Sequence, residues 1–232
     1  GIPGLAGATP IQNVGAYGQD VGQVVESVRV LDRSTGTIDV LGPEAISFGY
    51  RTSAFKRAPD RWVVLGLTMT LSPEPVGVVR YAELARELGI EVGDVADVEE
   101  IRAAVLTLRR RKSMVLDDAD PDTRSAGSFF TNPVVSAQVA ATVPAECPRY
   151  PSDAGIKLSA AWLIEQSGVQ PGWTARPGSA ARVSRRHTLA LVNAADASAA
   201  DLLELGRAIR GRVHDRFGIL LTAEVRMVNC TL

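Results

Sequence analysis

The amino-acid sequence predicts an α+β fold, because strand-like and helix-like stretches are interspersed along one chain. Runs rich in Val, Leu and Thr, which favour strands, occupy residues 24–31, 37–41 and 62–71. Apolar residues at helical spacing, framed by capping residues, occupy residues 98–111 and 198–218. The 232 residues leave room for one or two domains and a sizeable core.

The composition is typical of a soluble globular protein and excludes several other classes. A net charge of −1 and an aromatic content of 5% provide neither the field nor the stacking surface that nucleic-acid binding needs. Cys147 and Cys230 lie far apart and outside metal-ligand spacing, which favours a reducing cytoplasm and predicts no metal site. No apolar run is long enough to cross a membrane, and no signal peptide is visible.

The first half of the chain is expected to begin its regular structure with a hairpin. Residues 24–31 and 37–41 flank a glycine-containing turn, and residues 62–71 are the strongest single strand candidate. Two prolines break the structure at residues 72–77, and residues 78–93 then favour a short helical turn.

A longer helix is expected at residues 98–111. Asp97 is its N-cap, and Glu100 supplies a carboxylate three residues on, as in a capping box. The four cations at residues 109–112 suit the negative end of the helix dipole. A solvated helix end is the alternative, and it is the favoured interpretation for at least two of them. The acidic, proline-containing residues 117–123 are the expected boundary between two domains.

The second half of the chain is expected to combine helices and strands. Residues 154–168 are expected to form a helix and residues 187–192 a strand. Ser198 is a suitable N-cap for a helix that Gly218 ends. Residues 219–228 are expected to form a last strand.

The first 18 residues are rich in glycine without being polar. Five glycines and two prolines alternate with Ile, Leu, Val and Tyr, whereas a flexible linker would carry Ser, Gln or charge. Glycine between apolar neighbours lets the backbone lie close against a ligand, because it has no Cβ and admits positive φ. A tightly wound buried loop explains the same pattern, and composition leaves both interpretations open.

Three polar residues further along could carry chemistry, and each has a structural alternative. Arg51 offers a planar cation that suits a carboxylate, or it is a surface arginine. Ser128 is not in a nucleophile elbow, so on its own it is a turn or N-cap serine. Glu224 interrupts an apolar run, where it either serves a site, lies on the solvent face or pairs with Arg226.

Four blocks, in order along the chain, resemble the UDP-N-acetylenolpyruvoylglucosamine reductases, the flavoenzymes of peptidoglycan precursor synthesis. They are residues 1–18, residues 49–56 (GYRTSAFK), residues 127–135 (GSFFTNPVV) and residues 223–226 (AEVR). A single glycine-rich loop would be weak support, but four blocks in the family's order are specific. In the family a flavin-binding segment precedes the glycine loop, so the chain is expected to be a fragment that starts inside that loop.

The resemblance implies a fold, a reaction and two cofactors. The C-terminal part of an FAD-binding domain is expected at residues 1–116, a smaller α+β substrate domain at residues 117–218 and a final strand returning to the domain interface at residues 219–232. NADPH would reduce FAD, and the flavin would then reduce UDP-N-acetylglucosamine enolpyruvate to UDP-N-acetylmuramate. The resemblance further implies a cytoplasmic monomer. An incomplete binding fragment and an FAD oxidoreductase with another substrate stay open.

The resemblance also assigns roles to individual residues. The catalytic residues are expected to be Arg51, Ser128 (the proton donor to the substrate carbon) and Glu224. The cofactor-binding residues are expected to be Gly4, Gly7, Thr9, Asn13, Gly15, Ala16 and Arg51. The substrate-binding residues are expected to be Tyr81 (on a lid), Lys112, Asn132 and His187. The chain departs from the family pattern at Ala223, where proline is usual, and at Gln170, where lysine is usual.

Overall fold

The computed structural model of the protein describes residues 4–152 and 154–232, which form two compact units. The first unit ends at Leu108 and the second begins at Arg109, so the division falls inside the helix Val98–Arg111. The functional domain boundary at residues 117–123 stays a prediction. Residues 1–3, which belong to the glycine-rich stretch, lie outside the described residues.

The first unit is built from short strands and helices that alternate irregularly. Its strands are β1 (Gly15–Ala16), β2 (Gln19–Asp20), β3 (Val25–Asp32), β4 (Ile38–Leu41), β5 (Trp62–Met69), β6 (Val76–Val78) and β7 (Val95–Asp97). Its helices are α1 (Thr9–Gln12), α2 (Pro43–Ile46), α3 (Ala54–Arg57), α4 (Ala82–Leu88) and α5 (Val98–Arg111), with 3-10 turns at Ala6–Ala8 and Val21–Gln23.

A three-stranded antiparallel sheet in the order β4-β3-β5 confirms the predicted hairpin and the strand after it. Its central strand buries Val25, Val28 and Val30 against Ile46 and Phe55. Val25 and Val28 are three positions apart, an odd spacing that would place them on opposite faces of a regular strand. They share a face because the register shifts between Val25 and Ser27. Such a bulge inserts one residue and restores the alternation beyond it.

The remaining elements of the first unit form a second small core. Leu84 of α4 and Ala104 and Leu108 of α5 pack around Val79. The helix α5 confirms the prediction from helical spacing, and it begins after Asp97, whose Oδ1 accepts a hydrogen bond from the backbone amide of Glu99 at 2.8 Å. This side chain therefore satisfies one of the amides that a helix start leaves unpaired.

The second unit combines two small sheets with three α-helices among its described residues. Its strands are β8 (Ser125–Ser128), β9 (Val134–Val135), β10 (Arg149–Ser152), β11 (Gly155–Leu158), β12 (Ala181–Val183) and β13 (Ala190–Asn193). Its helices are α6 (Ala137–Thr142), α7 (Ala160–Gln166) and α8 (Ala199–Phe217), preceded by a 3-10 turn at Pro121–Thr123. The antiparallel sheets have the orders β10-β11-β9 and β12-β13-β8.

The helix α8 confirms the prediction at both of its ends. Ser198 and Asp201 form a reciprocal capping box at the start, and Gly218 ends the helix with φ of 67°. Leu205 and Ile209 of α8 are fully buried in the core of this unit. The helix therefore holds its place both through its cap and through its apolar face.

The helix predicted at residues 154–168 is wrong in its first half. Gly155–Leu158 forms strand β11, and the helix α7 starts only after Ser159, whose side chain accepts from the amide of Trp162. Gly155 has φ of 142°, and a Cβ there would lie 2.4 Å from the carbonyl oxygen of Val135. The close approach of β11 to β9 therefore overrides the local helical pattern.

Two strand predictions near the C-terminus also need correction. Strand β13 starts at Ala190 rather than at residue 187, because the amide of Ala190 closes a turn onto the carbonyl of His187 at 2.9 Å. Residues 219–228 form no strand ladder, and their one described bridge joins Ala223 to Phe130. Ile219 and Leu221 alternate because both pack on the core, which imitates the pattern of a strand.

None of the described helices combines the length and the apolar character that a membrane span requires.

Candidate active site

The glycine-rich stretch and the Arg51 segment are joined by the buried side chain of Asn13. Its Nδ2 donates to the carbonyl of Gly49 at 3.0 Å, and its Oδ1 accepts from the amide of Gly22 at 2.9 Å. Asn13 is 4% exposed and has φ of 50°, a left-handed conformation that asparagine tolerates better than most residues. One side chain thus fixes three loop segments at once.

Further hydrogen bonds join the same two segments through the two residues just before Asn13. The Oγ of Ser53 donates to the carbonyl of Ile11 at 2.6 Å. It also accepts from the amide of Lys56, so that Ser53 caps the start of helix α3. The Nζ of Lys56 donates to Gln12 at 3.2 Å and to the carbonyl of Arg51 at 2.9 Å. Both segments therefore form one rigid assembly, although about 40 residues separate them in sequence.

Arg51 directs its guanidinium at this glycine-rich loop. Its Nη2 donates to the carbonyl of Gly15 at 2.7 Å, and its guanidinium carbon lies 5.4 Å from the centre of the Tyr50 ring. The backbone of Arg51 has φ of 52°, a strained value for a residue with a long side chain. A permanent cation is thereby held at a fixed position beside a glycine backbone.

An open cavity of about 920 Å³ lies next to that contact. Two of the expected cofactor-binding residues, Gly15 and Ala16, line it together with Val14, Gln19, Asp20, Val21, Gln23, Val24 and Arg80. Gly4 and Gly7 have open space where a Cβ would stand, and Thr9 caps the loop locally by donating to the carbonyl of Ala6 at 2.7 Å. The glycines with open space at the Cβ position, Gly4 and Gly7, are therefore not the glycine that lines the cavity, Gly15, whose Cβ position is occupied by the β1–β2 hairpin and Arg51.

Tyr81 lies against the turn of the β1–β2 hairpin. Its ring meets the ring of Tyr17 edge to face, with 5.5 Å between centroids. Tyr17 and Gly18 form the turn with φ of 53° and 84°, and a Cβ on Gly18 would lie 2.9 Å from the Cβ of Arg80. The segment just before helix α4 is therefore seated on the glycine-rich stretch.

In the second unit, the structure brings Ser128 and His187 together. Ser128 ends strand β8, and its Oγ lies 3.4 Å from Nε2 of His187. Ser128 pairs with Ala190 across the sheet, and the amide of Phe129 donates to the carbonyl of Leu189 at 2.7 Å. The sheet therefore fixes the backbone on both sides of this serine–histidine pair.

Glu224 is attached by its backbone to the residue after Ser128. Its amide donates to the carbonyl of Phe129 at 2.8 Å, next to the bridge between Ala223 and Phe130. The Phe129 and Phe130 rings pack edge to face, with their centroids 5.0 Å apart, and both are buried. The Ser128 block and the Glu224 block thus share a single packed backbone junction.

Asn132 and Lys112 both have structural surroundings in the second unit. The Oδ1 of Asn132 accepts from the amide of Ala160 at 2.9 Å, at the first residue of helix α7. Lys112 directly follows helix α5, where its amide donates to the carbonyl of Arg109 at 3.2 Å. The oxygen of Asn132 therefore has a structural role at the start of helix α7.

Sequence reasoning missed a buried polar cluster around Asp122. Asp122 forms an ion pair with Arg182, and its Oδ2 accepts from the amide of Arg185 at 2.8 Å and from Oγ of Ser184 at 3.3 Å. Burial acts to raise the pKa of Asp122, but the hydrogen bonds and charge of Arg182, with the amide of Arg185, lower it overall. The partners are about 60 residues apart, so no local pattern could indicate them.

Comparison with known proteins identifies the class of this fold. Residues 120–228 match the family model described as UDP-N-acetylenolpyruvoylglucosamine reductase, C-terminal domain. The crystal structure of UDP-N-acetylenolpyruvylglucosamine reductase from Thermus caldophilus matches with a TM-score of 0.59 and 24% identity, over 97% of this chain and 61% of that chain. At this identity the structural match carries the fold alone. The chain therefore has the α+β fold seen in that reductase structure.

Sequence relatives identify the family. UDP-N-acetylenolpyruvoylglucosamine reductase of Mycolicibacterium gilvum is 50% identical over 239 residues, and that of Thermobifida fusca is 49% identical over 244 residues. Each alignment covers 100% of this chain and 67% of the relative. The chain therefore belongs to the UDP-N-acetylenolpyruvoylglucosamine reductase family, and it spans about two thirds of the length of these relatives.

Proposed function

We propose that the complete protein reduces UDP-N-acetylglucosamine enolpyruvate to UDP-N-acetylmuramate with FAD and NADPH, as a step of peptidoglycan precursor synthesis. Family membership at about 50% identity supports this reaction. The observation that carries it is the contact of the Arg51 guanidinium with the carbonyl of Gly15. It holds a cation beside the glycine-rich loop, as an enzyme needs if negative charge develops on a substrate there.

The residues proposed to hold FAD are the glycine-rich stretch and Arg51. Gly4 and Gly7, which have open space at the Cβ position, would let the ring system approach the backbone, and Gly15 and Ala16 would line its cavity. Thr9 and Asn13 keep the loop in shape through their hydrogen bonds. When bound, the flavin would take hydride from NADPH and supply it to the enolpyruvyl double bond. The open cavity beside Gly15 is consistent with a bulky ligand at this loop.

The catalytic roles proposed for the chain follow from the charge that the reduction creates. Addition of hydride to the alkene carbon remote from the carboxylate leaves negative charge on the carbon beside the carboxylate. Arg51 would stabilise this enolate-like substrate with its delocalised charge. Ser128 would deliver a proton to the carbon that does not receive hydride. Glu224 would stabilise the same intermediate, in agreement with its backbone attachment one residue beyond Ser128.

The substrate contacts proposed for the chain are Tyr81, Lys112, Asn132 and His187. Tyr81 would act from a lid, and Lys112 would attract the diphosphate, since a net charge of −1 gives the chain no general attraction for anions. His187 would contact both the substrate and Ser128, whose Oγ lies 3.4 Å away.

The test uses the full-length protein under anaerobic conditions. Flavin absorbance should fall on addition of NADPH and recover on addition of UDP-N-acetylglucosamine enolpyruvate, with UDP-N-acetylmuramate as the product. A protein that holds flavin but is not reduced by NADPH would support the alternative of a catalytically incomplete binding module. A flavin that is reduced by NADPH but never reoxidised by this substrate would support the other alternative, an oxidoreductase with a different substrate.

A further inference from the structure

Asp122 and Arg182 form a buried ion pair inside the second unit. Asp122 lies in the 3-10 turn Pro121–Thr123 and is 3% exposed, while Arg182 lies in strand β12 and is 8% exposed. The Nη1 of Arg182 has no hydrogen-bond partner among the described residues. The desolvation cost of burying two charges can exceed their mutual attraction, so the pair is weak evidence for a purely stabilising role. Its position therefore calls for another explanation.

The carboxylate of Asp122 also organises the chain that follows strand β12. Its Oδ2 accepts from the amide of Arg185 at 2.8 Å and from Oγ of Ser184 at 3.3 Å. The same Oγ of Ser184 accepts from the amide of Arg186 at 3.1 Å. Ser184 is fully buried, so these bonds are shielded from water. One carboxylate thus determines the path of three consecutive residues.

This turn carries His187 to its place beside Ser128. The amide of Ser184 donates to the carbonyl of Ala190, and the amide of Ala190 donates to the carbonyl of His187, both at 2.9 Å. Thr188, the next residue, donates through its Oγ1 to Glu165 at 2.5 Å. With its backbone fixed on both sides, His187 presents Nε2 at 3.4 Å from Oγ of Ser128.

We propose that Asp122 is a positioning residue of the reduction, which acts on Ser128 through the turn at residues 184–187 and through His187. This inference rests on the proposed function, because it assumes that Ser128 donates the proton. A serine hydroxyl transfers a proton efficiently only when a neighbouring group fixes its direction, and His187 supplies that group. Asp122 keeps the histidine within reach by holding the turn.

The charge state of Asp122 suits this role. Burial acts to raise its pKa, but Arg182, the amide of Arg185 and Ser184 lower the pKa overall. Asp122 therefore stays ionised near neutral pH and accepts hydrogen bonds on both oxygens. Two further carboxylates lie near the turn among the described residues. Asp120 has its Oδ2 3.9 Å from Arg186 and accepts from Ser113 at 2.9 Å, and Glu165 accepts from Thr188.

The experiment compares Asp122→Asn and Ser184→Ala with Asp118→Asn in the full-length holoenzyme. Asp118 is an exposed carboxylate in the same stretch, so its neutralisation controls for the lost charge. We expect Asp122→Asn to slow flavin reoxidation by the enolpyruvyl substrate about 10- to 100-fold, as misplacement by about 1 Å does. Flavin reduction by NADPH should change less than about threefold, and the loss in reoxidation rate should exceed any rise in the KM of the substrate that displacement of His187 causes. Ser184→Ala should show the same pattern more weakly.

Coupling to Ser128 separates this role from a merely structural one. In a Ser128→Ala background, Asp122→Asn should slow proton delivery no further, because the hydroxyl that His187 orients is already gone. A second loss of the same size, or an equal loss in the step with NADPH, would overturn the inference. If Asp122→Asn does not fold, Ser184→Ala in both backgrounds decides the question.

A direct readout does not depend on turnover. The imidazole NMR signal of His187, assigned with His187→Gln, should shift in Asp122→Asn and in Ser184→Ala, while the signal of the exposed His214 stays in place. An unshifted His187 signal would refute the positional link itself. A wild-type enzyme that never reduces the enolpyruvyl substrate would instead refute the proposed function, and only the NMR result would then speak for the turn.

Discussion

Arg51 donates from Nη2 to the carbonyl oxygen of Gly15 at 2.7 Å, although 36 residues separate the two in sequence. A side chain at Gly15 would interfere with this contact, because its Cβ would lie 3.1 Å from Nη1 of Arg51. The glycine and the arginine therefore depend on each other. The loop needs glycine to admit the guanidinium, and the guanidinium fixes the loop beside the cavity.

Gly15→Ala should destabilise the loop and reduce its flavin content. The new Cβ would stand 2.7 Å from the carbonyl oxygen of Gln19 and 2.8 Å from the Cβ of Asp20, so the β1–β2 hairpin must shift. Overpacking of this kind costs about 1–3 kcal/mol. Thermal unfolding and flavin absorbance of the full-length protein measure both effects. Gly66→Ala, where no atom lies within 4 Å of the new Cβ, is the matched control and should lose neither thermal stability nor flavin.

Arg51→Lys should separate the effect of the positive charge at this position from the effect of the planar guanidinium. Lysine keeps the positive charge but lacks the planar fork that contacts Gly15. We expect reoxidation of the flavin by the enolpyruvyl substrate to fall about 10²–10³-fold, which is typical for loss of one preorganised donor. Flavin reduction by NADPH should persist. The exposed Arg57→Lys is the control, and equal losses in both variants would mean that Arg51 has no special role.

Elements whose information is local could be predicted from the sequence. The helix α8 could be predicted because Ser198, its spacing of apolar residues and Gly218 all lie within one stretch. The hairpin β3–β4 carries its own turn and alternation. The bulge near Val25 was not visible, but it changes the local register without changing the strand.

Elements decided by distant partners could not be predicted. Residues 155–158 read as part of a helix, yet they pair with β9 and β10, and this pairing outweighs local propensity. Asn132 was expected only as a substrate contact, whereas its Oδ1 accepts from Ala160. Asp122 contacts Arg182 and Ser184, which lie about 60 residues further along the chain. This buried polar cluster therefore becomes visible only in the three-dimensional structure.

Asp32 should make the stability of the first unit depend on pH in acid. A hydrogen bond from the Ser34 hydroxyl, the amide of Ser34 and the nearby Arg61 lower the pKa of Asp32 to about 2. Because the folded pKa lies below the unfolded one, the stabilising contribution is complete above pH 5 or so and disappears as the pH falls towards 2. Unfolding of wild type and Asp32→Asn, compared from neutral pH to about pH 2, should show a Tm difference that vanishes in acid.

The exposed Asp60→Asn provides the control for this pH series. Its Tm difference from wild type should be small throughout, because the Asp60 side chain is not in the Asp32 cluster and only its carbonyl accepts from Arg33. A Tm difference for Asp32→Asn that grows as the pH falls would contradict the assignment of the lowered pKa to a stabilised carboxylate.

The proposed lid role of Tyr81 can be tested at Tyr81 itself and at Tyr17, whose ring it contacts. Tyr81→Phe keeps the edge-to-face contact at 5.5 Å and removes only the hydroxyl. If this hydroxyl binds the nucleotide substrate, KM should rise about 3- to 10-fold, which corresponds to one hydrogen bond of about 1 kcal/mol. Tyr17→Ala removes the seat of the lid and should raise KM even with the hydroxyl present. An unchanged KM in both variants would remove this tyrosine pair from the substrate site.

Ser128 gives the sharpest prediction, because it should act in one half of the reaction and not in the other. A serine hydroxyl is a weak acid, so it can protonate only a strongly basic carbanion-like substrate. The 3.4 Å separation of its Oγ from Nε2 of His187 places a group that can orient the hydroxyl and later return the proton. Arg51 and Glu224, in their proposed roles, would make the basic intermediate accessible.

Ser128→Ala in the full-length enzyme should therefore leave flavin reduction by NADPH close to normal. Reoxidation by the enolpyruvyl substrate should fall by about 10²–10⁴-fold, as expected for a positioned proton donor. The KM of the substrate should change little, because the lost interaction belongs to the transition state. Stopped-flow absorbance of the flavin resolves the two steps, and Ser179→Ala controls for removal of a hydroxyl that only accepts from the amide of Ala181. If Ser128→Ala slows both steps equally, or slows neither, Ser128 is not the proton donor.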